Sequence, residues 1–266
     1  MIKSLKLAVG NFCVRLIKFL ARKAKLDLIR IAYSENGITK SYSYQASGEK
    51  HFIGRFLKEN IKTEAPVFFD VGGNKGDYSA MLRENFPQAE IYCFEPNPKT
   101  FQLLKHNLDG RARLFNLGVG DKEDELQLYY DASDETSVQA TSDPEILKVI
   151  AKKEDLKCLT IRIVTLDDFC REQNIDSIDL LKIDTEGFEL EVLNGASRLL
   201  AAGAVKMIQF EFNEVNIVKR RFLRDFYDLL DGFEFYRLDE NRLIPLNEWQ
   251  PVHEIFMFQN ICAIKR

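Results

Sequence analysis

The stretch FFDVGGNKGDYS, residues 68–79, constrains this chain more than any other. An apolar run, Val67-Phe68-Phe69, meets an acid, Asp70, and Gly72, Gly73 and Gly76 follow within six positions. A short apolar run, a cluster of turn residues and then a helical pattern read as strand, turn and helix. In an open parallel sheet the ligand sits outside the carboxyl ends of the strands. Glycines there let backbone approach a ligand with no Cβ between, and Gly76 permits a tight turn into the next helix, which Asn74 or Asp77 can cap. The stretch therefore reads as a cofactor cradle.

The chain on either side fits that placement. Pro66 marks the start of the main unit, giving an N-terminal extension over 1–60 and a domain over 61–266. Strands are expected at 67–71, 90–94, 113–117, 126–130, 161–164, 179–183, 205–212, 233–238 and 255–263, with one or two more between residue 31 and the helix at 51–60. Helices are expected at 51–60, 78–85, 98–108, 144–153, 166–173, 189–200 and 222–230. Strands alternating with helices imply an α/β, Rossmann-like doubly wound sheet covered on both faces. No helical pattern separates the last two strands, so at least one pair is expected to be antiparallel.

The cofactor follows from what lies beside the glycines. A dinucleotide fingerprint needs G-x-G-x-x-G with backbone amides aimed at a pyrophosphate, but the spacing here is G-G-x-x-G and Asp70 precedes it. A carboxylate there repels a diphosphate and suits the ammonium and sulfonium of S-adenosylmethionine. Glu95 closes the next strand, in YCFEPNP, where an acid accepts both ribose hydroxyls.

These segments, with NLGVGDKE (116–123), TLDDF (165–169), DLLKIDTEGFELEVLNGA (179–196) and QFEFNE (209–214), resemble the FkbM family of S-adenosylmethionine-dependent methyltransferases. The resemblance covers residues 66–214, and QNICAIK near the end fits the family's last strand. It implies a class I fold of seven strands, the last antiparallel, and methyl transfer to a hydroxyl of a macrolide, sugar or surface glycan. Matched position by position, Asp70, Gly72, Asn74 and Gly76 fall on the methionine side, Glu95 on the ribose with Asn97 its neighbour, and Asp121 near adenine. Gly73, Tyr78 and Pro96 in the same segments, and Asp184, complete the expected cofactor-binding set. Gly73 stands where the family more often has alanine.

Methyl transfer to an alcohol needs alignment and a base. Asp184 closes the strand DLLKID and Glu186 follows in the turn; Asp184 is the first catalytic candidate and Glu186 the second choice for the base. Helix capping is the competing role for both, since acids favour a helix's N-terminal end. Asp184, Glu211 and Asn213 offer oxygens that suit Mg²⁺, a site the resemblance does not require. Ser133, Thr136 and Ser137 suggest a polar lid over the acceptor.

Residues 1–30 carry eight Lys or Arg against one acid, a charge of +7 within a chain of net charge −4, so the remainder is at −11. That acidic remainder excludes a nucleic-acid partner. Ile2, Leu5, Val9, Phe12, Cys13, Leu16 and Leu20 recur at helical spacing with the basic residues falling mostly elsewhere, which predicts a basic amphipathic helix, too often interrupted by charge to cross a membrane. It can lie on an anionic membrane surface through residues 1–25, at the inner membrane face, or pack on the main domain or in a dimer interface. Five scattered cysteines fit a reducing cytoplasm. Two rival functions remain: a non-catalytic adaptor on this fold and a nicotinamide-linked oxidoreductase.

Overall fold

A computed structural model describes residues 2–39, 43–133 and 140–266. The strands are β1 (Val67–Val71), β2 (Glu90–Phe94), β3 (Arg113–Phe115), β4 (Gly118–Val119), β5 (Asp124–Asp131), β6 (Leu156–Val164), β7 (Leu180–Ile183), β8 (Met207–Phe212), β9 (Phe233–Asp239), β10 (Arg242–Pro245) and β11 (Gln259–Lys265). Eight of them form one sheet in the order β3-β2-β1-β7-β8-β11-β9-β10. The five strands from β3 to β8 are mutually parallel, and β11 lies antiparallel between β8 and β9. The last strand is thus antiparallel, as the resemblance implies.

The sheet has eight strands rather than seven. A polar turn at Glu240 and Asn241 sends the chain back along β9 for four residues, and β10 becomes an added edge. Two other expectations are corrected. The apolar runs at 126–130 and 161–164 leave the main sheet and pair with each other, and with β4, in a second sheet of order β4-β6-β5. Between residues 31 and 46 no strand forms among the described residues. Two helices instead open the chain, α1 (Ile2–Ala24) and α2 (Leu28–Ser34), the second capped by Asp27.

The alternation of β1 explains its apolar run, because each face of a covered parallel sheet needs its own buried residues. Phe69 enters a cluster with Tyr92, Phe94, Phe169 and Phe210, and Phe68 enters the opposite one with Phe52, Leu57, Leu82 and Leu180. Phe169, on the helix Leu166–Gln173, meets Phe69 and Phe94 edge-on at 5.9 and 4.9 Å, which ties that helix across two strands. On the other face, Glu49–His51, the π-helical Phe52–Leu57 and Lys58–Asn60 run without a break. Phe52, Ile53 and Leu57 are fully buried there. The boundary drawn after residue 60 therefore falls inside the core, since removing 49–60 would strip one face of the sheet.

Candidate active site

A cavity of about 410 Å³ opens where β1, β2, β7 and β8 end. That size fits a cofactor with an acceptor's reacting end. Gly72, Asn74, Glu95, Pro96, Asp184 and Glu186 line it, all expected from the sequence.

The glycines owe their place more to packing than to ligand approach. Gly72 has φ +81, and a Cβ on it would stand 1.7 Å from the Asp184 carbonyl oxygen. A Cβ at Gly73 would meet Cys93 Sγ at 2.0 Å, and one at Gly76, φ +95, the side chains of Leu104 and Leu108. Only Gly72 of the three also lines the cavity. Asn74 sits at φ +48, a left-handed conformation that asparagine tolerates better than most.

At the β2 end the Glu95 carboxylate is fixed by two backbone amides. Oε1 accepts from Asn97 N–H at 2.8 Å and Oε2 from Asn74 N–H at 3.0 Å. Burial outweighs these bonds and raises its pKa to about 7. Asn97 is buried and caps the helix Pro98–Leu108 through its side chain, with no wall of the cavity to form. One turn into that helix, Thr100 lines the cavity at 2% exposure, and its hydroxyl has no hydrogen-bond partner. Asn74 Oδ1 is likewise buried and unsatisfied. Buried polar atoms are rarely left so, and two of them beside Glu95 fit a ligand with hydroxyls. Sequence reading missed Thr100, because a threonine in a helix's first turn carries no distinguishing signal.

Three expected contacts lie outside the cavity wall. Asp70 is fully buried behind it, accepting from Ser79 Oγ at 2.7 Å and facing Lys182 Nζ at 3.5 Å. Tyr78 is buried with its hydroxyl donating to Gln209 Oε1 at 2.5 Å. Asp121 is exposed on the bend after β4. It lies there because the preceding Gly120 packs so closely on Gly195 that a Cβ at Gly195 would stand 1.9 Å from its carbonyl oxygen.

At the β7 end, Lys182 is the organising cation. Its Nζ lies 3.1 Å from Asp184 Oδ2, and its side chain is 6% exposed. Burial opposes its charge, but Asp184, Asp70, Glu49 and Glu211 together hold its pKa well above the ordinary lysine value. A lysine inside the apolar run of DLLKID was the signal available, and it passed unused. Glu186 and Glu211 are both pushed well above the usual carboxylate range, first by burial and then by Asp184 and each other's surroundings. The helix Glu189–Asn194 has no side-chain cap, and Glu189 Oε1 instead ties down the turn before it, accepting from the amides of Thr185 and Gly187 and from the Thr185 hydroxyl. Asp184 and Glu186 are thereby left to the cavity.

Asp184, Glu211 and Asn213 do converge on this end, but Lys182 already occupies Asp184, and Asn213 Nδ2 reaches Glu211 Oε2 at 3.4 Å. Among the described residues no cluster of His, Cys, Asp or Glu offers a metal site. Tyr44 and Glu49 of the extension complete the wall, with Ser47 Oγ and Gln209 Nε2 holding the Glu49 carboxylate. Of the expected lid, Ser133 turns to Asp131, and Thr136 and Ser137 lie outside the described residues.

The methyltransferase FkbM domain matches residues 70–237. The chain belongs to this family. Among its curated relatives is the 2-O-methyltransferase NoeI of Sinorhizobium fredii, 25% identical over 68% of this chain and 78% of that protein. The hexuronic acid methyltransferase AglP of Haloferax volcanii is 29% identical over 58% of each chain. The 31-O-demethyl-FK506 methyltransferase FkbM of Streptomyces tacrolimicus is 26% identical over 64% of this chain and 76% of its own length. The matched span of this FkbM methyltransferase runs from β1 to β9 and carries both ends of the cavity. Tyr44 and Glu49 are cavity residues outside it.

Proposed function

We propose that this FkbM methyltransferase transfers the methyl group of S-adenosylmethionine to a hydroxyl oxygen of a saccharide or secondary-metabolite acceptor in the cytoplasm. The observation that carries the reading is the two-ended cavity, with Glu95 held by backbone amides at one end and carboxylates gathered around Lys182 at the other. The naming of NoeI and AglP for a 2-O-position and a hexuronic acid supports a sugar hydroxyl as acceptor.

When bound, the cofactor supplies a methyl group on a sulfonium. Glu95 accepts its ribose hydroxyls, with Thr100 and Asn74 beside it. Asp184, held by Lys182, orients its cationic end. Glu186 takes the acceptor's proton, because burial and neighbouring acids raise its proton affinity and no side chain among the described residues hydrogen-bonds its carboxylate. Such a base contributes about 10²- to 10⁴-fold in rate. Asp184 is already engaged by the Lys182 ammonium at 3.1 Å, which suits it to orienting a ligand.

Calorimetric titration with S-adenosylhomocysteine, with NAD as control, tests the reading. One-site binding of the former alone is expected, followed by transfer of labelled methyl to hydroxylated saccharides. No heat from S-adenosylhomocysteine in folded protein would overturn it.

A further inference from the structure

The N-terminal arm takes no part in the cavity, yet its surface is the least ordinary of the molecule. Of the fifteen exposed large apolar side chains among the described residues, ten fall between Phe12 and Ile31. On α1 these include Phe12, Leu16, Phe19 and Leu20, 46–66% exposed; beyond it, Leu26, Ile29 and Ile31 extend the strip. Apolar side chains of this size are costly to leave in water, so a strip of this length implies a cover. The other five stand in five separate segments and form no strip of matching length. Between residues 12 and 31 only Ala21 is buried, so these apolar side chains are left uncovered, and the described surface of the domain offers no strip to match them.

Charge selects the partner. The strip runs along a segment with eight basic residues and one acid, Asp27, whose carboxylate is spent capping α2 through Ile29 and Arg30 N–H. Pairing with the arm of a second copy would set +7 against +7. A bilayer with anionic headgroups supplies an apolar phase and negative charge at once. We propose that α1 and α2 dock this protein on an anionic bilayer, apolar face toward the acyl chains and basic face among the headgroups. No helix among the described residues is long and apolar enough to cross it.

The attachment gives docking a consequence for the site. After α2 the chain is fixed to the sheet edge: Arg242 donates to Glu35 C=O, Arg237 to Asn36 C=O, and Ile38 is buried. Thr39 N–H donates to the carbonyl of Phe258, a cavity residue, and Tyr44 and Glu49 of the cavity wall follow closely. A docked arm holds that wall at a set place relative to the membrane surface, whichever reaction the cavity performs.

The test is flotation of the full chain with vesicles of phosphatidylcholine alone, or of phosphatidylcholine and phosphatidylglycerol in equal parts. Binding to the anionic vesicles only, weakening as salt is raised, is expected. The variants Arg15→Glu/Lys18→Glu/Arg22→Glu and Leu16→Asn/Leu20→Asn should each cut the bound fraction about tenfold or more, with the thermal midpoint of the domain unchanged. Three outcomes would overturn the proposal: no binding of the full chain to anionic vesicles, equal binding to both vesicle types, or binding that neither variant reduces. A stable dimer in sedimentation that both variants convert to monomer would also overturn it in favour of a second copy.

Discussion

The two ends of the cavity are both lined by carboxylates, and they treat them in opposite ways. At the β2 end each oxygen of Glu95 takes a backbone amide, so its position is fixed by the main chain. At the β7 end Asp184, Glu186 and Glu211 share one buried cation, and two of the three are driven toward protonation. Backbone amides hold a carboxylate still, which suits recognition of a fixed ligand shape. Crowded, desolvated acids hold protons more tightly, which suits proton transfer near neutral pH. The same residue type thus serves for binding at one end and for chemistry at the other.

Breaking the chemical end alone should have the largest effect. Glu186→Gln should lower kcat by roughly 10²- to 10⁴-fold while leaving S-adenosylhomocysteine affinity within about threefold. Retained turnover in Glu186→Gln, with the loss appearing in Asp184→Asn instead, would move the base to Asp184.

Removing the shared cation should affect stability next. Lys182→Met leaves Asp70, Asp184, Glu49 and Glu211 without their common counter-charge, a change worth about 3–5 kcal/mol and an unfolding midpoint lower by on the order of 10 °C. Calorimetric unfolding checks this. An unchanged midpoint would mean that the acids simply protonate, and that the lysine does not organise this end.

The smallest effect, and the sharpest on the binding end, is in pH. Glu95 has its pKa raised to about 7, so it is mostly protonated below that value and ionised above it. A carboxylate is the better acceptor for two ribose hydroxyls. Affinity for S-adenosylhomocysteine should therefore rise with pH by up to about tenfold per unit below 7 and level off above it. Glu95→Gln should bind more weakly and lose that slope. A slope that survives in Glu95→Gln belongs to another group.

Much of the cradle was legible because it is local. A short apolar strand, glycines at its end and an acid closing the next strand are sequence-adjacent signals, and they placed Gly72, Asn74, Glu95 and Asp184 on the cavity. Where the reading went wrong, the cause was a contact made across the chain. Asp70 was taken for a ligand contact, but Lys182 and Ser79, 112 and 9 residues away, draw it behind the wall. Gly73 was taken for room beside a ligand, and the neighbour it accommodates is Cys93, whereas Gly76 makes the expected tight turn into the next helix at φ +95. Capping was the competing role for Asp184 and Glu186, and neither takes it: the helix has no side-chain cap, and Glu189 binds the turn amides before it.

The sequence by itself determined the α/β class, the parallel strands around the glycine turn, the presence of an antiparallel pair near the end and the basic amphipathic arm, because periodicity and turn chemistry act within a few residues. Only the tertiary structure decided that β5 and β6 leave the main sheet, that residues 49–60 close its second face, and that Tyr44, Glu49, Thr100 and Lys182 belong to the cavity. Those outcomes depend on which buried surfaces and charges meet from distant parts of the chain. The energy that selects them, desolvation balanced against pairing, exists only once the partners are in place.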